Sequence, residues 1–276
     1  MIFKILILLF FLNFGLIDFP YSQEAANAEE IMDKELQIGE KLKYEVSFSG
    51  LMTLGYAEMS IEGETQIRGQ KCLVFQTKTW ATPFLQRIYT VDDRITSHWN
   101  PVLKRTLWQE KIIHEGTFYR EYQADFNYKL KVVSWTQKGY SVNTTGGESQ
   151  GVTTNLPSQI QDALSSVYFS RTHELQGKPG LKFELAAFDD LKIAKIKMEI
   201  IRIEDLALVI NGKSQTFSAQ VIEPKYSTTG LFRAKGRLFL WVTNDKNKIP
   251  LQIISEIPIG SVKARLIEAN HPLFLD

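Results

Sequence analysis

The chain has 276 residues and is 44% hydrophobic, 23% charged and 12% aromatic, a globular composition that excludes low-complexity, collagen-like and disordered readings. Its 32 basic and 31 acidic residues leave a formal charge of +1, so no electrostatic pull toward nucleic acid or another polyanion is expected. One cysteine cannot build a disulfide framework or a thiolate zinc site.

The first 28 residues read as a secretory leader. Lys4 precedes an apolar stretch from Ile5 to Ile17, shorter than the roughly 20 residues a bilayer-crossing helix needs. Ala26-Asn27-Ala28 has the small-residue pattern of a cleavage site, and cleavage after Ser22 is the alternative. No cysteine lies nearby to carry a lipid. Removal of the leader takes away Lys4, Asp18 and Glu24 and moves the net charge from +1 to +2. The expectation is an exported, periplasmic protein with no integral span after cleavage and one β-rich domain over residues 29–276. Cys72, then alone in an oxidising compartment among Leu73, Val74 and Phe75, reads as a small core residue.

Strand patterns fill most of the remainder. Leu42, Tyr44, Val46 and Phe48 alternate with polar residues, and a Gly-bounded link leads to Ala57, Met59 and Ile61, which predicts an opening hairpin. Further strands are expected near 71–80, 85–91, 102–113, 117–125, 128–135, 181–188, 237–243, 249–257 and 261–268. The Gly-rich run 143–151 reads as a mobile loop or boundary. Asn211-Gly212 between two apolar runs is a type I′ hairpin signal. Phase slips at Ile200/Ile201 and Ile253/Ile254 predict β-bulges, or else strands that pass between layers or are apolar on both faces. Leu238–Val242, apolar on both faces, predicts a strand covered on both sides.

One amphipathic helix is expected over about 159–172. Ser158 and Gln161 have capping-box spacing, and Ile160, Ala163, Leu164, Val167, Tyr168 and Arg171 follow at helical intervals. The fold class is therefore mainly β: a single curved antiparallel sheet, open barrel or sandwich, with one packed helix.

Chemistry-bearing motifs are sparse. His98, His114, His173 and His271 show no metal-ligand spacing, although a sheet surface could bring the first two together. No nucleophile elbow, P-loop or dinucleotide fingerprint occurs, so no catalytic residue, metal or cofactor is assigned. Asp92-Asp93 and Asp189-Asp190 are neighbours that a strand would send to opposite faces. Asn143-Thr144-Thr145 has the form of a glycosylation acceptor and reads as a turn. Trp80, Trp108, Trp135 and Trp241, together with Trp99, lie on or beside expected strands; they either line a concave apolar site or fill the core.

Gly39–Val46 followed by Gly55-Tyr56-Ala57, the helix run Asp162–Arg171, and the closing Trp241–Asp245, Ile249-Pro250-Leu251 and Ile259–Val262 together resemble the bacterial family called domain of unknown function 3108. The resemblance spans about residues 36–268. It implies an exported protein of Gram-negative-type bacteria without an assigned activity. Within the helix motif, Asp162, Ser165 and Arg171 form a candidate polar cluster, with capping and helix–sheet contacts as the alternative. By architecture the chain is similar to periplasmic lipoprotein carriers. Three functions follow in order: a non-enzymatic module binding a lipid, acyl chain or apolar peptide; a structural or protein-interaction component of the envelope; and a hydrolase whose site the sequence does not display.

Overall fold

A computed structural model describes residues 36–141, 144–172, 177–189, 191–226 and 236–275. The expected leader, His173, Asp190 and Asn143 lie outside these residues. Fourteen strands form one antiparallel sheet: β1 (Lys41–Phe48), β2 (Met52–Ile67), β3 (Gln70–Ala81), β4 (Asp92–Asn100), β5 (Arg105–Glu115), β6 (Phe118–Asn127), β7 (Val132–Ser141), β8 (Thr144–Thr154), β9 (Lys182–Asp189), β10 (Lys192–Ile210), β11 (Lys213–Tyr226), β12 (Leu238–Thr243), β13 (Pro250–Ile257) and β14 (Gly260–Ala269). Their spatial order is β8-β7-β6-β5-β4-β3-β2-β1-β14-β13-β12-β11-β10-β9. The first and last strands pair at the centre, and β8 and β9 form the two edges. A short helix α1 (Pro83–Gln86) joins β3 to β4, and α2 (Ala163–Arg171) crosses the concave face. Among the described residues no helix is long and apolar enough to cross a membrane.

The sheet is rolled, and its two ends overlap. Along β9, Leu185 and Ala187 belong to the main core, whereas Phe188 packs with Ile193 of β10 against Tyr122, Ala124, Phe126 and Val133 of β6 and β7. Successive strand residues point to opposite faces. The β9 edge is therefore tucked inside the β6–β7 end, with Phe126 and Phe188 meeting edge to face at 5.5 Å. Residues 160–161 tie the seam: Thr106 N–H donates to Ile160 O, Gln161 N–H to Ala186 O, and Phe188 N–H to Gln161 O.

That strut accounts for the start of the helix. Its backbone groups are committed to β5 and β9, so helical hydrogen bonding begins only at Ala163, with Asp162 as N-cap, four residues after the expected Ser158 cap. Asp162 accepts from Leu164 N and Ser165 N, while the Ser165 hydroxyl accepts the Asp162 N–H.

Other expectations resolve strand by strand. The opening hairpin and the Asn211-Gly212 turn form as expected, the latter with φ of 53° and 76°. The segment expected as a strand at 85–91 instead contains α1 and the turn after it, since Pro83 sits in the first helical turn and Thr82 caps it. The Gly-rich run at 143–151 is not a loop; from Thr144 it is edge strand β8, held by its ladder with β7. A bulge lies at Ile201, between the pairs Ile200–Ile222 and Arg202–Val221. Beyond it Leu208 and Ile210 are buried on the face opposite Ile200, so the strand both bulges and changes layer. The second bulge falls at Leu251 and not at Ile253/Ile254; Ile254 pairs with Phe239 on the convex face.

Candidate functional site

The concave face carries α2, and the residues of its motif are divided between its two ends. Phe75 of β3 stacks on Tyr168 with ring centroids 4.0 Å apart, and Leu164 and Phe169 are buried in the same core. The helix touches β3 and β4, in the middle part of the sheet order, and the edge strand β9, so it bridges the roll.

At its N-terminal end Asp162 is the centre of a closed network. One carboxylate oxygen accepts the backbone N–H groups of Leu164 and Ser165; the other accepts the hydroxyls of Ser97 and, at 2.9 Å, Thr106. Gln161 accepts the indole N–H of Trp99 at 2.9 Å and donates to Lys104 O at 2.7 Å. Ser97, Trp99 and Thr106 come from β4 and β5, whose bulge between His98 and Trp99 sets the register. Four donors on one buried carboxylate make a clamp with its acceptor sites occupied.

Arg171 is at the opposite end of the same helix. Its two terminal nitrogens grip Glu40 at 2.6 and 2.8 Å, its Nε–H donates to Asn247 O, and Lys248 Nζ donates to Arg171 O. Both side chains are 1% exposed. Burial opposes the charge of Arg171, but the Glu40 carboxylate and its hydrogen bonds outweigh it and hold the guanidinium above its usual pKa. Tyr44, buried and beside Glu40, is pushed well up, chiefly by desolvation, and donates to Pro250 O at 2.9 Å. Asp162 and Ser165 thus meet, while Arg171 belongs to a separate ion pair, nine residues beyond Asp162 and six beyond Ser165.

The tryptophans divide between the faces. Trp135, on the side of Val133, packs at the overlap seam above Gly151 of β8, where an added Cβ would come within 2.4 Å of the indole. Trp99, with its indole bonded to Gln161, is the other inward ring. Trp80 stands beside Tyr56 and Trp108 beside His98, both on the convex face. Trp241 lies opposite Leu240, with its indole N–H on Glu204 at 2.6 Å. By strand register Trp80, Trp108 and Trp241 sit on the side away from α2, Trp241 nonetheless buried in the main core. His98 and His114 are not brought together: His98 faces Trp108 across the β4–β5 ladder, and His114 faces Tyr119 of β6.

Sequence reading missed a buried polar strip on the inner side of β3–β5. Lys111 forms an ion pair with Asp189 across the roll; burial lowers the Lys111 pKa and Asp189 counters it. Asp93 accepts the His114 N–H at 2.8 Å and is pushed up to about 7, first by desolvation. The alternation of β5, with Gln109, Lys111, Ile113 and Glu115 all inward, was the available signal. Among the described residues no group of three His, Cys, Asp or Glu has metal-site proximity.

The half-buried apolar residues mark where this interior approaches solvent. Val167 on α2, Phe183 on β9 and Ile196 on β10 pack on the main core yet remain partly exposed. Phe183 pairs with Met198 and Ile196 with Leu185, so the two side chains are diagonal neighbours on one face. α2, which carries Val167, touches β9, which carries Phe183.

A profile of the family described as protein of unknown function (DUF3108) matches residues 43–267. No functionally curated protein matches the chain. Among solved structures, the chain is similar to a crystal structure described as a beta-barrel-like protein of domain of unknown function DUF1849 from Brucella abortus. The TM-score is 0.53 at 10% identity, covering 85% of this chain and 98% of that one. At that identity the likeness concerns the fold alone.

Proposed function

The chain belongs to the DUF3108 family of proteins of unknown function, and on that premise we propose that it is an exported, non-enzymatic module of the bacterial envelope. It binds an acyl chain, lipid or apolar peptide segment at an apolar mouth that Val167, Phe183 and Ile196 would form between α2 and β9. The observation that carries this reading is the partial exposure of Val167, Phe183 and Ile196, which are continuous with the buried core. An apolar ligand laid there would complete their burial, a gain of about 25 cal/mol per Å² covered. The named polar groups near α2, Asp162, Ser165, Arg171 and Glu40, bond to one another and to backbone, which supports a scaffold role. Export is supported by residues 1–28, with their positive start, short apolar core and Ala26-Asn27-Ala28.

Native mass spectrometry of protein recovered after export, without detergent, tests the binding reading. Lipid-sized added mass is the expected result; a clean polypeptide mass that no added fatty acid shifts would overturn it. A second reading, an envelope component that pairs with another protein, is favoured by β8. This is an edge strand whose residues 146–150 are exposed on both faces. Crosslinking from a β8 position in intact cells would recover a reproducible partner under that reading.

A further inference from the structure

We infer that the end of the rolled sheet bearing the β1–β2, β3–β4 and β13–β14 connections is a membrane-docking surface that seats on an anionic lipid bilayer. These connections join strands adjacent in the order β4-β3-β2-β1-β14-β13, so they are neighbours. Hydrogen bonds stitch them together: Ser49 N–H donates to Ser261 O at 2.7 Å and Thr82 N–H to Leu54 O at 3.0 Å. The tips present large apolar side chains to solvent. Leu51 is 92% exposed, Ile88 71% and Phe84 70%, with Ile259 and Met52 also exposed.

Such a cluster on a folded surface marks a protein or membrane contact. Two observations favour the membrane. First, these side chains project from turn tips, and a side chain 92% exposed is held by no groove of its own. A fluid acyl boundary accepts separate protruding groups without a shaped partner, whereas a protein interface requires complementarity. Second, residues 49–54, 82–90 and 258–261 contain no Asp or Glu; Arg87 lies among them, and the Lys263 ammonium sits beside the Gly50 turn. Apolar tips with cations among them, and with the nearest exposed carboxylates Asp92 and Glu256 set back at the strand ends, fit an anionic headgroup layer, to which each basic residue adds attraction.

The surface is distinct from the Val167–Phe183 mouth, so vesicle binding and apolar-ligand binding succeed or fail independently. The test is sedimentation of the exported, leader-free protein with vesicles of phosphatidylethanolamine and phosphatidylglycerol. Expected is retention that falls at least tenfold in the triple variant Leu51→Asp, Phe84→Asp, Ile88→Asp. Retention should be unchanged in a control carrying Val102→Asp and Leu130→Asp, exposed apolar positions on other turns. All five positions are exposed, and circular dichroism checks that each variant folds. A dye placed at Leu51→Cys should shift to the blue on vesicle addition while one at Val102→Cys does not; Cys72 is buried and does not compete for label. No retention of the parent protein, or equal retention of the triple variant, overturns the inference. So does a surface inert to lipid but shielded from labelling in intact cells, which would make it a protein contact.

Discussion

The guanidinium of Arg171, on the last turn of α2, holds both carboxylate oxygens of Glu40, a residue 131 positions earlier and just before β1. The pair ties the C-terminal end of the helix to the centre of the sheet, where the first and last strands meet. Removing one partner leaves the other charge buried and alone, which costs about 3–5 kcal/mol. Arg171→Ala and Glu40→Ala should each lower stability by that order in urea unfolding. The double variant Arg171→Met, Glu40→Gln should recover most of the loss, because no isolated charge remains.

At the other end of the helix, Asp162→Ala removes the cap and leaves the Ser97 and Thr106 hydroxyls short of an acceptor. A lost cap costs about 1 kcal/mol and each stranded buried donor about 1–3 kcal/mol. The variant should therefore be clearly less stable than Ser165→Ala, which keeps the carboxylate; thermal unfolding of the two compares them directly.

Asp93 gives the stability curve a pH slope. Its folded pKa, about 7, lies above the unfolded value of 3.8, so the folded state binds the proton more tightly. Its contribution is fully present below the unfolded pKa and is lost as pH rises toward the folded one. The urea midpoint should fall between pH 4 and pH 7 by an amount that Asp93→Asn largely removes. Asparagine keeps the acceptor for the His114 N–H and has no charge to desolvate.

The overlap seam depends on Phe188. Phe188→Ala deletes a fully buried ring that meets Phe126 and should cost about 3–5 kcal/mol. Hydrogen exchange should report the loss first at β6, β7 and β9, with the β1–β14 centre still protected.

Much of this architecture is legible from local pattern. Alternation at Leu42-Tyr44-Val46 marks an inward strand face, and Asn211-Gly212 supplies a turn whose two residues need positive φ. What escaped depends on distant partners. Ser158-Gln161 and Asp162-Ser165 both have capping spacing, and only the hydrogen bonds of residues 160–161 to Thr106, Ala186 and Phe188 select the second. The polar, Gly-rich middle of β8, residues 146–151, has little strand signal of its own; its ladder to β7 makes it a strand. Glu40 carries no mark of its pairing with Arg171, and a run buried on both faces such as Phe239–Val242 does not show which face its tryptophan takes. The half-buried mouth residues are ordinary apolar positions until the roll places them beside α2.

The most direct measurement of the proposed function is a fluorescence titration of a dansyl-labelled undecanoic acid into the exported protein and its Val167→Asp and Phe183→Asp variants. The account predicts saturable binding by the parent protein, with a blue-shifted dansyl emission, and affinity at least tenfold weaker in both variants while their far-ultraviolet spectra stay native. No saturable binding by the parent, or variants that bind as well as it does, would contradict it.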